Sequence, residues 1–158
     1  MTPLPPSAQR VQQTLQDLGC TCRVIEMPVS TRTAAEAAEA VGCQVGQIAK
    51  SLVFKTRKSK RPILVITSGA NRVDVKHMRQ IVGEKLGKAD ADFVRESTGY
   101  AIGGVPPVGH AHPLETYIDR DLLQYEHIWA AAGTPRALFR IAPQELVRIS
   151  GGKVVAVG

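Results

Sequence analysis

Hydrophobic positions change period several times along the chain, and each change marks an expected element. Ala8, Val11, Leu15 and Leu18 recur at the spacing that lines one helical face, with Ser7 as the expected cap and Gly19 as the stop. Residues 22–27 read as a strand. After a polar loop over residues 28–33, Thr33-Ala-Ala-Glu36 has capping-box spacing and opens an Ala-rich helix that ends at Gly42. Two β-rich runs, 50–55 and 62–67, flank the basic segment 56–61 and predict an antiparallel hairpin with its cations at the tip. Asp74 opens a predicted helix to residue 82, and another covers residues 91–97. Strands are expected at 114–118, 127–131 and 137–141. Pro143, at a first helical position, begins a helix to residue 149, and residues 154–157 form a last strand. Helices and strands mix without βαβ alternation or internal repeats, which predicts an α+β fold with a mixed, mostly antiparallel twisted sheet flanked by helices.

A length of 158 residues fits one domain over residues 1–158. Hydrophobic residues make up 44% of the chain and aromatics only 4%, so the core must be aliphatic. A reader that stacks single-stranded bases on aromatic rings is thereby disfavoured. The net charge of +6 favours a polyanionic partner. Its clustering at Lys55, Arg57, Lys58, Lys60 and Arg61 makes those residues candidates for binding nucleic-acid phosphates. Cys20, Cys22 and Cys43 lack paired zinc spacing and are expected to be reduced, structural thiols. No apolar run approaches a membrane span, and the start Met-Thr-Pro-Leu-Pro-Pro lacks a basic segment followed by an apolar one. A cytoplasmic protein with no membrane partner is expected.

Residues 99–110, Gly-Tyr-Ala-Ile-Gly-Gly-Val-Pro-Pro-Val-Gly-His, hold four glycines and two adjacent prolines. Such a segment suits neither helix nor strand. It reads as a shaped loop that recognises a ligand through its backbone. Upstream, period two puts Lys50 on one strand face with Leu52 and Phe54. An ammonium so placed must snorkel, find a carboxylate or face a ligand cleft. No nucleophile elbow, Cys–His signature, Walker loop, Rossmann glycine pattern or His-Glu-x-x-His motif occurs. His110-Ala-His112 offers two potential metal ligands without an evident third, so no metal and no cofactor are expected.

The run Gln47-Ile-Ala-Lys-Ser-Leu-Val-Phe54 together with Gly103-Gly-Val-Pro-Pro107 resembles the YbaK/EbsC family, freestanding relatives of the editing domain inserted in bacterial prolyl-tRNA synthetases. The resemblance implies a YbaK-like fold and aminoacyl-tRNA deacylation. It gives Lys50 the role of essential active-site residue, with an electrostatic task, and it assigns Gly103 and Gly104 as catalytic through main-chain groups aimed at the oxyanion. It also implies substrate binding by Thr31, Arg32, Val105, Pro106, Pro107 and Gly133, and puts Asp119 and the turn 132–135 near the pocket; Ser68, Gly69 and Asn71, in a polar turn after a strand, and His110, beside the loop, complete the expected substrate-binding set. Water activation by the terminal ribose hydroxyl fits a family without an obvious general base. Where the cysteine-specific branch has Ser-Gly-Gly followed by Asp, this chain has Ala131-Ala132-Gly133 and then Leu138, so cysteinyl specificity is not implied. The expected activity is trans-editing of mischarged tRNA, with a small or polar non-cognate amino acid on proline tRNA. Expected partners are the acceptor end of the tRNA and a synthetase such as prolyl-tRNA synthetase. The alternative is a non-catalytic tRNA- or nucleotide-binding regulatory module.

Overall fold

Strand β3 (Pro62–Ser68) is the axis of the fold. Ile63, Leu64, Val65 and Ile66 are all fully buried, because side chains from both sheet faces are covered and a strand so placed has no polar alternation. It pairs antiparallel with β2 (Ile48–Thr56), the hairpin its sequence predicts, and parallel with β5 (Glu115–Asp119). Beyond β2 lie β6 (Ile128–Ala131), β7 (Ala137–Ile141) and β1 (Val24–Glu26). Beyond β5 lies β8 (Lys153–Val155), giving the order β1-β7-β6-β2-β3-β5-β8. A short β4 (Leu86–Lys88) adds antiparallel to the far end of β2. Four of the seven strand pairings are antiparallel, which matches the expected mixed sheet. The structure is a computed structural model and describes residues 3–158.

Helices cover both faces. On one, α1 (Pro6–Asp17), α4 (Ala91–Thr98) and α5 (Pro143–Ser150) bring Val11, Leu15, Val94 and Leu146 onto Leu64 and Ile66. On the other, α2 (Ala34–Val41) sets Ala37 and Ala38 on Ile48 and Leu138, while α3 (Val75–Val82) sets Met78 on Ile63 and Val65. The predicted capping box is formed: Thr33 accepts from the Glu36 N–H, and the Glu36 side chain accepts from Thr33. Asp74 and Asp90 cap α3 and α4. These local signals agree with the tertiary arrangement, and the alanines of α2 allow it to lie close on the sheet.

Two expectations require correction. Ser7 is inside α1 and not its cap, because Pro6 takes the first helical position, where a missing N–H leaves no bond unmade. Leu18 lies past the end of that helix and is 37% exposed, so it is off the core stripe. The sulfurs of Cys20 and Cys22 lie against one another, and Cys43 stands apart, with burial raising its thiol pKa. Strand β4 went unforeseen, since Leu-Gly-Lys is too short to carry a period.

At the end of β5, the buried Asp119 gathers the chain. Its Oδ2 accepts from the Ser68 N–H at 2.9 Å, from Asn71 Nδ2 at 2.9 Å and from Thr67 Oγ1 at 3.2 Å, and its Oδ1 accepts from the Asp121 N–H at 3.0 Å. Ser68 Oγ in turn donates to the Gly46 carbonyl at 2.7 Å. The start of β2 is thereby held against the ends of β3 and β5. Removing the carboxylate strands several buried donors. Asp119→Ala is therefore expected to destabilise the protein by about 3 kcal/mol; urea denaturation measures this, and a change below ~1 kcal/mol would contradict the structural role.

Candidate functional site

Main-chain pairing along β2 is interrupted. The Gly69 N–H donates to the Ile48 carbonyl at 2.7 Å, and the Thr56 N–H to the Arg61 carbonyl at 3.0 Å, so even-numbered residues direct their main-chain groups toward β3. Odd-numbered residues face the other edge, as the bond from the Arg57 N–H to the Lys85 carbonyl shows. On that edge β6 reaches only Ile48 and Ala49, while β4 begins at Phe54. Residues 50–53 have no strand partner there, and the main-chain N–H and C=O of Ser51 point into the opening.

A cleft of about 490 Å³ occupies this gap. Because strand side chains alternate, its two sides differ. Lys50, Leu52 and Phe54 stand on one face with Lys88, which is paired to Phe54. Ser51 and Val53 stand on the other, where Ala89, Val94 and Val105 continue an apolar chamber. Arg32 and Thr33 border the cleft from the start of α2, and no Asp or Glu lines it. Ser51 Oγ is buried and is the one such side-chain oxygen among the described residues without a hydrogen-bond partner. Sequence reasoning passed over Ser51. The available signal was a hydroxyl at the inward register between Ala49 and Val53, where an apolar residue belongs.

The glycine loop forms the opposite wall, with Gly103 and Val105 lining the cleft. Gly103 has a φ of +93°, and a Cβ there would sit 2.9 Å from Arg32 Cγ. Glycine thus lets Arg32 lie across the loop. Gly104 does not line the cleft. Its N–H donates to the Ala101 carbonyl at 3.0 Å and its carbonyl accepts from the Gly133 N–H at 2.9 Å, so its amide is not free to serve an oxyanion. A Cβ on Gly104 would meet the Thr134 backbone at 2.9 Å, which makes close packing the reason for glycine. The expected catalytic role of Gly104 is corrected accordingly.

Other expected binding residues divide between cleft and support. Thr31 and Arg32 line the cleft, although the Thr31 hydroxyl donates to the Pro135 carbonyl at 3.0 Å. Pro106 and Pro107 are buried behind the loop, and His110 Nε2 lies 2.7 Å from the Pro106 carbonyl. These residues and Gly133 shape the wall without facing the cleft. Ser68, Gly69 and Asn71 also stand outside it, because Ser68 and Asn71 belong to the Asp119 network and the Gly69 N–H is bonded to Ile48.

The basic hairpin tip is preorganised. Glu84 Oε1 accepts from the Ser59 and Lys58 N–H groups, each at 2.6 Å, and its Oε2 accepts from Ser59 Oγ at 2.8 Å. The Ser59 N–H and hydroxyl, aided by Lys58, pull the Glu84 carboxyl down to about 2. Arg61 pairs with Glu115 at 3.8 Å, and Lys55 Nζ lies 4.8 Å above the Phe93 ring. Lys55, Arg57 and Lys60 share a shallow concavity with Lys88. Lys88, overlooked because β4 was, therefore joins the basic tip to the cleft.

The family model for the aminoacyl-tRNA editing domain matches residues 29–149. YwhH, an uncharacterized protein of Bacillus subtilis strain 168, is 36% identical over 131 residues, 83% of this chain and 83% of that protein. EbsC of Enterococcus faecalis, provisionally named a Cys-tRNA(Pro)/Cys-tRNA(Cys) deacylase, is 26% identical over 79% of this chain and 76% of its own. A crystal structure provisionally described as a trans-editing enzyme for prolyl tRNA synthetase superposes with a TM-score of 0.92 at 52% identity, over 98% of each chain.

The wall of the cleft carries a pH signature. Burial lowers the His110 pKa below its ordinary 6.5, with the Pro106 hydrogen bond opposing in part. The unfolded chain then binds a proton that the folded loop resists, so stability is present above pH ~6.5 and is lost as pH falls through that value. Urea unfolding at pH 7.5 and 5.5 should show a larger acid loss in the wild type than in His110→Gln. Equal losses would remove His110 as the cause.

Proposed function

The chain belongs to the aminoacyl-tRNA editing domain family, and from that premise we propose that it is a trans-editing hydrolase. It cleaves the ester of mischarged tRNA, with proline tRNA carrying a small or polar non-cognate amino acid as the substrate. The interrupted edge of β2 is the observation that carries this reading: it opens a cleft with cations on one side, an apolar chamber on the other and main-chain groups at the neck between them. An aminoacyl ester at the end of a polyanion has matching parts.

In this reading the terminal adenosine lies on the Lys50 face, where the ammonium neutralises its phosphate or the charge that develops on the ester. The Ser51 amide, at the neck, is the main-chain donor placed to meet the carbonyl oxygen, a task that Gly104 cannot perform. Fixed donors aimed at a developing oxyanion act strongly in a site shielded from water. Water adds to the carbonyl carbon, the bond from that carbon to the ribose oxygen breaks, and the ribose oxygen ends with the proton the water loses. A neighbouring ribose hydroxyl serves as the relay, so no side-chain nucleophile is needed. Lys55, Arg57, Lys58, Lys60 and Arg61 hold acceptor-stem phosphates, and Lys88 carries that positive track to the cleft. Phosphate contacts position the tRNA and the chamber selects the amino acid. With so few aromatics to read bases, tRNA choice is shared with a synthetase such as prolyl-tRNA synthetase.

Release of labelled amino acid from proline tRNA charged with Pro, Ala, Cys, Ser or Thr tests the reaction. Lys50→Ala is expected to lower hydrolysis of the preferred ester by at least about 100-fold with an unchanged melting temperature; normal turnover by the folded variant would remove Lys50 from the mechanism. If tRNA binds in a salt-sensitive way and no ester is hydrolysed, the regulatory-module reading replaces this one. Lys58→Glu with Lys60→Glu should weaken tRNA binding. For every phosphate left unneutralised, the slope of log affinity against log salt should also flatten by about 0.7–0.9, and an unaltered slope would place the tRNA elsewhere.

A further inference from the structure

We propose that a second groove, on the sheet face formed by β1, β7 and β6, binds a nucleoside monophosphate, with the base on Trp129 and the phosphate between Arg23 and Arg140. The groove has a volume of about 660 Å³, against about 490 Å³ for the cleft, and no residue lines both. Pockets that hold small ligands span about 300–1,000 Å³. The editing reading uses none of these residues, so the two stand or fall separately.

Strand register builds the site. Trp129 stands opposite Arg140 between β6 and β7, and Val24 stands opposite Phe139 between β1 and β7. Continuing the second register by one residue places Arg23 opposite Arg140. Alternation turns the buried Val24 and Phe139 to the core, and Arg23, Arg140 and Trp129 to the groove. Three neighbouring strands thus present two guanidiniums and an indole in one row, about 5 Å apart from strand to strand.

None of the three is satisfied within the chain. Like charges directly opposite each other on paired strands are destabilising, and neither arginine makes an ion pair among the described residues, whose pairs are Arg61 with Glu115 and Arg148 with Glu145. Glu145 is the one acidic residue lining the groove, and Arg148 already holds it. Packing against the cluster of Ile48 and Leu138 fixes the half-buried Trp129. No cation covers its ring, since the cation–ring contacts among the described residues are Arg10 over Tyr100 and Lys55 over Phe93.

An anion between the arginines relieves their repulsion, and a phosphate offers oxygens to both guanidinium forks where a carboxylate brings a single charge. Inorganic phosphate would leave the indole unused, and an apolar ligand would leave the arginines unused. A nucleotide joins both parts in one molecule. Thr21 and His127 border the groove with groups able to bond its ribose or phosphate. One indole stacks one base. Because the groove holds no Phe or Tyr beside Trp129, it suits a mononucleotide and not a run of bases.

Trp129 is the one tryptophan of the chain, so its fluorescence reports on the groove directly. Titration of the full chain with AMP should change the emission saturably, while adenosine and inorganic phosphate, each half of the ligand, should need at least about tenfold higher concentration. Arg23→Gln and Arg140→Gln should each weaken AMP by about tenfold or more, with melting temperatures checking the fold. Lys50→Ala, which alters the other cleft, should leave the titration unchanged. A response lost in Lys50→Ala and kept in both arginine variants would put AMP in that cleft and overturn the proposal. Adenosine or inorganic phosphate acting as well as AMP would overturn it too, as would an oligoadenylate binding far more tightly than AMP. Absence of labelled AMP binding in equilibrium dialysis would end it outright.

Discussion

One interruption in main-chain pairing governs the site: β2 is bonded along its whole β3 edge but only at its two ends on the other. A strand with an open edge carries unsatisfied donors and acceptors, and sheets usually cover such an edge or blunt it with charge. Here β6 stops at Ala49 and β4 starts at Phe54, so the opening is bounded and too short to recruit another strand. What enters must be small and able to bond to main chain. The same opening connects the two sheet faces, so a strand that elsewhere separates outside from core becomes the neck of a cleft.

That opening is stable because its surroundings are held independently of any ligand. Asp119 fixes the ends of β3 and β5 and, through Ser68 and Gly46, the approach to β2. On the far wall, Gly104 and Gly133 lock together by a main-chain bond, and His110 holds Pro106 from behind. Gly103 leaves room for Arg32. These residues do not need to touch a substrate for their loss to impair the site. A glycine loop that looks like an array of free amides proves to have one of its central amides already bonded, and the strand adds a main-chain donor of its own at Ser51.

The sequence made most of the elements legible because local signals were strong. The Thr33 capping box, the Asp74 cap, Pro143 at a helix start and the continuous apolar run of β3 all fold as their chemistry predicts. Lys50 was half legible: its register with Leu52 and Phe54 left a ligand cleft as one of three places for the ammonium, and Lys50 lines the cleft. Ser68, Gly69 and Asn71 were misplaced because a polar turn after a strand looks the same whether it serves a ligand or a buried carboxylate fifty residues away. Ser51 and Lys88 were missed for a different reason. Each gains its meaning from pairing partners, β6 stopping short and β4 adding on, and a three-residue strand with a glycine at its centre leaves no periodic trace.

Charge and apolar surface occupy different parts of the site. All the cations near the cleft belong to the Lys50 face, the α2 loop or the hairpin tip, whereas the inner chamber has a hydroxyl among aliphatic side chains and no charge. Attraction to a polyanion would therefore act outside the chamber and would not distinguish the groups that enter it. Any discrimination among small groups is left to the chamber, where apolar fit alone separates them weakly. Because the Glu84 carboxylate holds the Lys58 and Ser59 backbone in place with its own pKa near 2, the tip keeps its shape at any pH well above that value.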